Sequence, residues 1–548
     1  MVSSRFVAAS LCVLLAGVVS GIPLLGREQP SSQEKHSTNP FHKSVAKADF
    51  KFQDLNFLQL TDVHSWLSGH AHEAKDEAGY PDVLAFVQHL QSMAWKEGKD
   101  LFLFNSGDIV DGTGLSDATQ VRGVLITPII QQMPFTALTS GNHELYHNST
   151  VNNLAASGFV DFWGGHYLTA NIFNATTGER VGSPYTIVTG KMGKKLLVMG
   201  FLYNMQNSCE AVKVQPVAEA LQMPWFGEAM AKAAEIEVDA IVVLVHMDAK
   251  DPLVSTIKTQ IRAKDPKASI VFLAGHTHIR DFQIMDSRSV SMESGKYLDT
   301  VGFVSCSLPA TDSAGMDCEN EFVTPHVATF MKLTHTDKTT FETPGSKKMR
   351  RDISVLRSKL GLDEVIGCSP ATFYPFANFS SPHSMWALYL RAVLPAVLYP
   401  DNPVAVFVAG TGALRYKLYK GEVHLDDTYT VSPFKDIYYV THVAGQVLAQ
   451  IIEALLKRET NMLTERTSDT EKWSEYEEPW VASIDPKALK AGVIYDLVYV
   501  EFDGETVGEV YEKVTGQAMS AAPFRSADVD SRNIWEKFVR TEWPCDSM

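Results

Sequence analysis

Leu58-Gln59-Leu60-Thr61-Asp62-Val63-His64 and Leu101-Phe102-Leu103-Phe104-Asn105-Ser106-Gly107-Asp108-Ile109-Val110-Asp111 decide how this chain folds. Each is a short apolar run that ends, within a few residues, in carboxylates and imidazoles. Three later stretches repeat the pattern. Thr136-Ala137-Leu138 leads to Gly141-Asn142-His143-Glu144, residues 242–245 lead to His246, and residues 270–273 lead to Gly275-His276-Thr277-His278. Apolar runs of this length, bounded by turn residues, read as buried strands. In open α/β sheets the functional groups collect just past the carboxyl ends of such strands. Singly, a Gly-Asp or Asn-His is a turn or a cap. Five such segments in one order, all at strand ends, point to a shared site for divalent metal.

Working outward, strands are expected over 56–60, 101–104, 135–138, 195–201, 240–245 and 269–274. Amphipathic helices over 83–95 and 216–236 lie between them, and this alternation indicates an α/β domain. Residues 343–354, with Lys347-Lys348-Met349-Arg350-Arg351, turn polar and basic. They read as a connector with a solvated helical face, and residues 343–364 as a linker helix between domains. A second α/β unit over 365–548 carries a helix near 382–398, strands over 404–409 and 438–443, and a helix ending near Arg458. Residues 464–478 read as an acidic loop.

A chain of 548 residues is too long for one core. The net charge of −16 argues against nucleic-acid polymers as partners. Met1 to Arg5, the apolar residues 6–19 and Ser20-Gly21 have the form of a secretory signal peptide over 1–21, too short to span a bilayer. A flexible leader over 22–49 follows, and no stable membrane anchor is read. The expected destination is extracellular or vacuolar (lysosome-like). Cys12 leaves with the signal, so Cys209, Cys306, Cys318, Cys368 and Cys545 allow up to two disulfides and one free thiol. Sequons at Asn148, Asn174 and Asn378 fit this route and glycosylation. The oligomeric state is open.

Asp62-x-His64, Gly107-Asp108-x-x-Asp111, Gly141-Asn142-His143-Glu144, His246 and Gly275-His276-x-His278 together resemble the calcineurin-like metallophosphoesterase signature. The resemblance spans residues 56–333 and implies a four-layer α/β/β/α sandwich holding two metal ions. One ion would be held by Asp62, His64, Asp108 and His278, and the other by Asp108, Asn142, His246 and His276. Mixed His, Asp and Asn ligands suit Mn, Zn or Fe. The reaction implied is in-line attack on phosphate by a metal-bridging hydroxide. His143 and Asn142 are the expected catalytic residues, His143 stabilising the transition state or protonating the leaving group. Gly107, Gly141 and Gly275 are expected to permit the sharp turns. Gly69-His70-Ala71-His72 repeats the His-x-His spacing but follows no buried strand, and reads as a loop near the mouth of the site, placed to support the site or meet substrate and not expected to hold a metal.

The second unit resembles the C-terminal domain of 5'-nucleotidases through Thr411-Gly412-Ala413-Leu414-Arg415, Gly421-Glu422-Val423, Asp427 to Phe434 and Val443 to Leu448. Arg415 matches the family's substrate-binding arginine and Phe434 its base-stacking aromatic, with Phe502 the candidate second aromatic. The family turn Asn-Gly-Gly-Gly-x-Arg is replaced by Gly410-Thr411-Gly412-Ala413-Leu414-Arg415. The aspartate that orients the motif histidine three residues later is replaced by Tyr146. The expectation is a 5'-nucleotidase-like phosphomonoesterase acting on a small phosphorylated substrate such as a nucleotide. The alternatives are a phosphodiesterase, a sugar-nucleotide hydrolase, a non-nucleotide phosphatase, or an inactive secreted binding protein on this scaffold.

Overall fold

The computed structural model describes residues 50–73, 77–311, 313–400, 404–458, 480–523 and 529–545. The signal peptide, the leader and the acidic loop over 464–478 lie outside the described residues. Every residue of the strand Leu55–Leu60 is buried, because both faces of its sheet are covered. Leu55 and Phe57 enter one apolar layer, while Leu58 and Leu60 enter another. This is the two-residue alternation of a strand applied to a sheet covered on both sides.

Leu55–Leu60 pairs in parallel with Phe102–Asn105 and antiparallel with Val301–Ser307. The first sheet runs Asp317–Val323, Val301–Ser307, Leu55–Leu60, Phe102–Asn105, Ala137–Thr139, Tyr167–Leu168. The second runs Arg280–Asp286, Ser289–Ser294, Ile270–Ala274, Ala240–His246, Lys195–Leu202, Tyr185–Thr189. Their inner faces meet through Phe57, Phe104, Val242, Leu273 and Met292. Helices Tyr80–Lys96 and Pro344–Leu360 cover the first sheet with Phe86, Leu90, Met349 and Ile353. Helices Pro224–Ile236 and Pro252–Lys264 cover the second with Phe226, Met230, Ile257 and Ile261. The result is the expected α/β/β/α sandwich. The parallel strands of both sheets end at one edge, where the ligand-bearing loops begin.

The expected connector over 343–364 contains the helix Pro344–Leu360, and its basic residues do more than face solvent. Arg350 pairs with Asp82 at 2.6 Å, and Arg357 with Asp426 at 2.5 Å. One expected helix, 216–236, is two: Val217–Ala220 and Pro224–Ile236. Pro224 forces Met223 into an extended conformation, with ψ 152°, and restarts the helix at its own position. The helix expected over 382–398 begins at Met385 and passes through a π-turn, Tyr389–Val393, before Leu394–Leu398. Pro395 has no N–H to give and would collide with the carbonyl four residues back, so the ladder widens just ahead of it.

In the second domain a five-stranded sheet runs Trp480–Ala482, Ala405–Gly410, Ile494–Val500, Tyr438–Ala444, Ala522–Pro523. Helices Gly445–Leu456 and Gly504–Thr515 cover one face with Leu448, Ile452 and Val507. Trp386, Tyr389 and Trp535 cover the other. Disulfides join Cys306 to Cys318 and Cys368 to Cys545, and Cys209 is a free thiol. Among the described residues no helix is long and apolar enough to cross a membrane.

Candidate metal centre

Just past the strand ends the backbone takes an uncommon path. Asp62, His64, Asp108, His276 and His278 all have positive φ, at 49°, 45°, 54°, 82° and 61°. Non-glycine residues stay in this region only where their surroundings hold them, at a cost of about 1–3 kcal/mol each. The ligand candidates themselves therefore make the sharp turns. Of the three expected turn glycines only Gly107 has positive φ, at 102°. Gly141 and Gly275 serve close approach instead: a Cβ on Gly141 would lie 2.0 Å from Asp108 Oδ1, and one on Gly275 2.8 Å from Asp62 Oδ2.

Two clusters result. Asp62, His64, Asp108 and His278 bring ligand atoms within 4.8 Å of one another, and Asp108, His246 and His276 do the same. Asn142 joins the second, its Oδ1 standing 3.0 Å from His246 Nε2. Asp108 belongs to both, with Oδ2 at 3.2 Å from His246 Nε2 and 3.5 Å from His64 Nε2. His64 and His278 face each other through Nε2 atoms 3.2 Å apart. The Nδ1 of His64 reaches the Val110 carbonyl at 2.9 Å and that of His246 the Ser106 carbonyl at 2.8 Å, so each donates there. That commits Nδ1 and leaves Nε2 as the atom each ring would offer to a cation.

The donor set fits a divalent ion. Asp108 Oδ2 is buried and makes no well-aligned hydrogen bond among the described residues, with His246 Nε2 at 3.2 Å from it. A buried ionised oxygen needs a cation beside it, either a protonated imidazole or a divalent ion. Burial, then the charge of His143, depresses His64 to about 3, and burial with His246 depresses His276 to about 3. Burial raises both carboxylates, but the facing histidines prevail, holding Asp62 to about 2 and Asp108 well below the carboxylate range. Burial lowers His246, yet Asp108 and Asp62 push it up to about 10, a proton that a bound cation would displace.

His143 stands beside this centre. Its Nδ1 lies 2.9 Å from Asp111 Oδ2, and Asp111 Oδ1 accepts from Arg122 Nη1 at 2.7 Å. All three are buried. Asp111 thus orients His143, the task for which the neighbouring sequence offered only Tyr146. Tyr146 holds Asn142 instead: its hydroxyl accepts from Asn142 Nδ2 at 3.0 Å, turning Oδ1 toward His246. Glu144 ties the loops together, accepting N–H groups from Gly141 at 2.7 Å, Asp108 at 3.0 Å and Ile109 at 2.8 Å. Asp111 stood in the quoted motif three residues after Asp108; Arg122 gave no sequence signal.

Arg415 and Phe434 come to the centre from the second domain. Phe434 lies 6.4 Å from the His143 ring at 25°, and the Arg415 guanidinium sits 5.8 Å from the Phe434 centroid. Arg415 Nε donates to the Tyr297 hydroxyl at 3.1 Å, and the Tyr297 ring packs 5.4 Å from His64 and 5.5 Å from His278. Phe502 is 56% exposed on the turn Glu501–Asp503, and no ring contact joins it to this group among the described residues. His70 is buried between the Tyr416 hydroxyl and the Tyr297 carbonyl, each at 2.7 Å.

Residues 55–280 match the calcineurin-like phosphoesterase family, and residues 373–493 match the NAD nucleotidase C-terminal domain. An uncharacterized protein of Schizosaccharomyces pombe is 31% identical over 70% of this chain and 69% of its own. An uncharacterized protein of Saccharomyces cerevisiae is 31% identical over 78% and 74%. The fold is shared with a 5'-nucleotidase from Candida albicans, TM-score 0.81 at 24% identity over 90% of this chain and 99% of that one. A 5'-nucleotidase precursor from Thermus thermophilus superposes with TM-score 0.61 at 14% identity, covering 89% and 96%. With this ligand cluster and these relatives, the chain belongs to the calcineurin-like phosphoesterases, and it carries a C-terminal domain of the NAD nucleotidase family.

Proposed function

We propose that this protein is a two-metal phosphomonoesterase of the 5'-nucleotidase kind. The observation that carries the reading is the sharing of Asp108 by two ligand clusters, with Phe434 of the second domain beside His143 and Arg415 beside Phe434. Asp62, His64, Asp108 and His278 would hold one divalent ion (Mn, Zn or Fe), and Asp108, Asn142, His246 and His276 the other. The chemistry such ions supply when bound is polarisation of the phosphoryl oxygens and acidification of a water.

The chain's own groups do the rest. His143 commits Nδ1 to Asp111, so a proton carried on Nε2 is the one offered to the departing oxygen. Arg415 offers a planar fork to a phosphate or carboxylate. Phe434 offers a face to a base, and Phe502 is a candidate second face. The match to the NAD nucleotidase C-terminal domain supports a second reading, hydrolysis of a nucleotide pyrophosphate bond by the same centre. The apolar start after Arg5 and a relative from Arthroderma benhamiae named as a secreted protein support a secretory route.

The test is phosphate release from nucleoside monophosphates, dinucleotides, sugar nucleotides and phosphorylated sugars, with Mn or Zn added. Turnover of nucleoside monophosphates is expected. Turnover of sugar phosphates alone would remove the nucleotidase reading, and turnover of none would remove the enzyme.

A further inference from the structure

We propose that His72, His424 and Asp427 form a third cation site, of a kind that suits zinc, clasping the catalytic domain to the second domain. His72 belongs to the Gly69-His70-Ala71-His72 loop, which the metal centre does not use. Its partners lie more than 350 residues away, on the strand Gly421–His424 and the helix Leu425–Val431. One ligand atom from each of the three lies within 4.8 Å of the others.

His72 hydrogen-bonds one oxygen of Asp427 and His424 stands against the other, at separations that ligands around a single ion also have. Ligands about 2.0–2.1 Å from a tetrahedral zinc stand roughly 3.3 Å from one another. His72 Nε2 is 3.3 Å from Asp427 Oδ1, and His424 Nδ1 is 3.7 Å from Asp427 Oδ2. The rings of His72 and His424 are 6.1 Å apart and inclined at 45°, so both can turn nitrogen toward one point. His72 is steadied by stacking on Tyr419 at 4.8 Å and 20°. Asp427 is steadied by the His424 backbone N–H, which its Oδ2 accepts at 2.7 Å. Two imidazoles and one carboxylate are a borderline donor set, suited to zinc over magnesium or calcium. The three side chains line a cavity of about 520 Å³ between the domains, which leaves room for water as the fourth ligand.

An ion there would join the loop that follows Asp62 and His64 to the element that precedes Phe434. It would thereby hold Arg415 and Phe434 over the metal centre. The site is separate from the two ligand clusters around Asp108, so its test does not depend on turnover. Full-length protein is stripped with a chelator, equilibrated with zinc alone, and its zinc content measured per folded chain. Wild type is compared with a His72→Gln, His424→Gln double variant whose fold is checked by circular dichroism. The double variant is expected to carry one zinc per chain fewer. If it fails to fold, His72→Gln alone, on a partly exposed loop, is expected to weaken the last zinc about 10-fold or more in a titration. Equal zinc content, or an unchanged titration for His72→Gln, would overturn the proposal.

Discussion

At the residue scale, His143 depends on a carboxylate 32 positions earlier in the chain. Asp111 has no part in the ligand clusters, yet it fixes the ring and is itself fixed by Arg122. Asp111→Asn is expected to lower kcat about 100-fold with KM and bound metal nearly unchanged, which steady-state kinetics beside metal analysis would read. A kcat unchanged within twofold would show that this orientation does not matter. Asp503 makes a second case. Burial pushes its carboxyl up to about 7 while Oδ2 accepts the Gly410 N–H at 2.9 Å. The folded chain keeps this proton to about pH 7, whereas the unfolded chain releases it near 3.8. Stability from this group is therefore full below pH 3.8 and is lost as pH rises toward 7. Asp503→Asn is expected to remove a decline on the order of 2 kcal/mol between pH 5 and 8, measured by denaturant titration. The metal-ligand candidates were legible in sequence because each follows an apolar run directly. The Asp111 contact was not, since nothing local states which imidazole a carboxylate will meet.

At the scale of elements, periodicity located six of the twelve strands in the two catalytic sheets to within about two residues, where a short apolar run is bounded by turns. It missed the other six, among them Ser289–Ser294 and Val301–Ser307, whose serines and glycine interrupt the apolar run although the strands are buried. Helix interiors were less legible. Pro224 and Pro395 each sit in an otherwise helical pattern, and one breaks the helix while the other widens it. The difference lies in packing: Leu390, Val393 and Leu394 are held in one core, which keeps the second helix continuous through its π-turn. Disulfide pairing was also beyond sequence, since five cysteines allow many connections. The bond between Cys368 and Cys545 fastens Val365–Ser369 to the end of the chain across a separation of 177 residues. Replacing both with serine is expected to cost about 2–4 kcal/mol of stability, measured by chemical denaturation without reductant. No loss would mean that neighbouring packing already holds this segment.

At the scale of the whole molecule, the catalytic domain would supply the proposed metal ligands and His143, and the second domain would bring up Arg415 and Phe434 for a substrate. The contact joins polar bonds, among them Gly114 N–H to Asp426 at 2.7 Å and Lys417 to Glu73 at 2.8 Å, to apolar packing of Tyr416 on Trp66 at 4.5 Å and of Tyr429 in the catalytic domain's core. The sequence placed Arg415 and Phe434 only through resemblance, because no periodicity says which domain faces face one another. Phe434→Ala is expected to raise KM for nucleoside monophosphates about 5- to 100-fold while kcat changes little, since base stacking is worth about 1–3 kcal/mol. An unchanged KM would remove the stacking role. Asp108 is proposed to join the two ligand clusters into one hydrolytic centre. Metal-dependent phosphate release from wild type and Asp108→Asn protein, each stripped and reloaded with Mn or Zn, measures this. Wild type is expected to regain activity on reloading while Asp108→Asn stays at least about 100-fold slower at every metal concentration. Equal rates in the two proteins would contradict it.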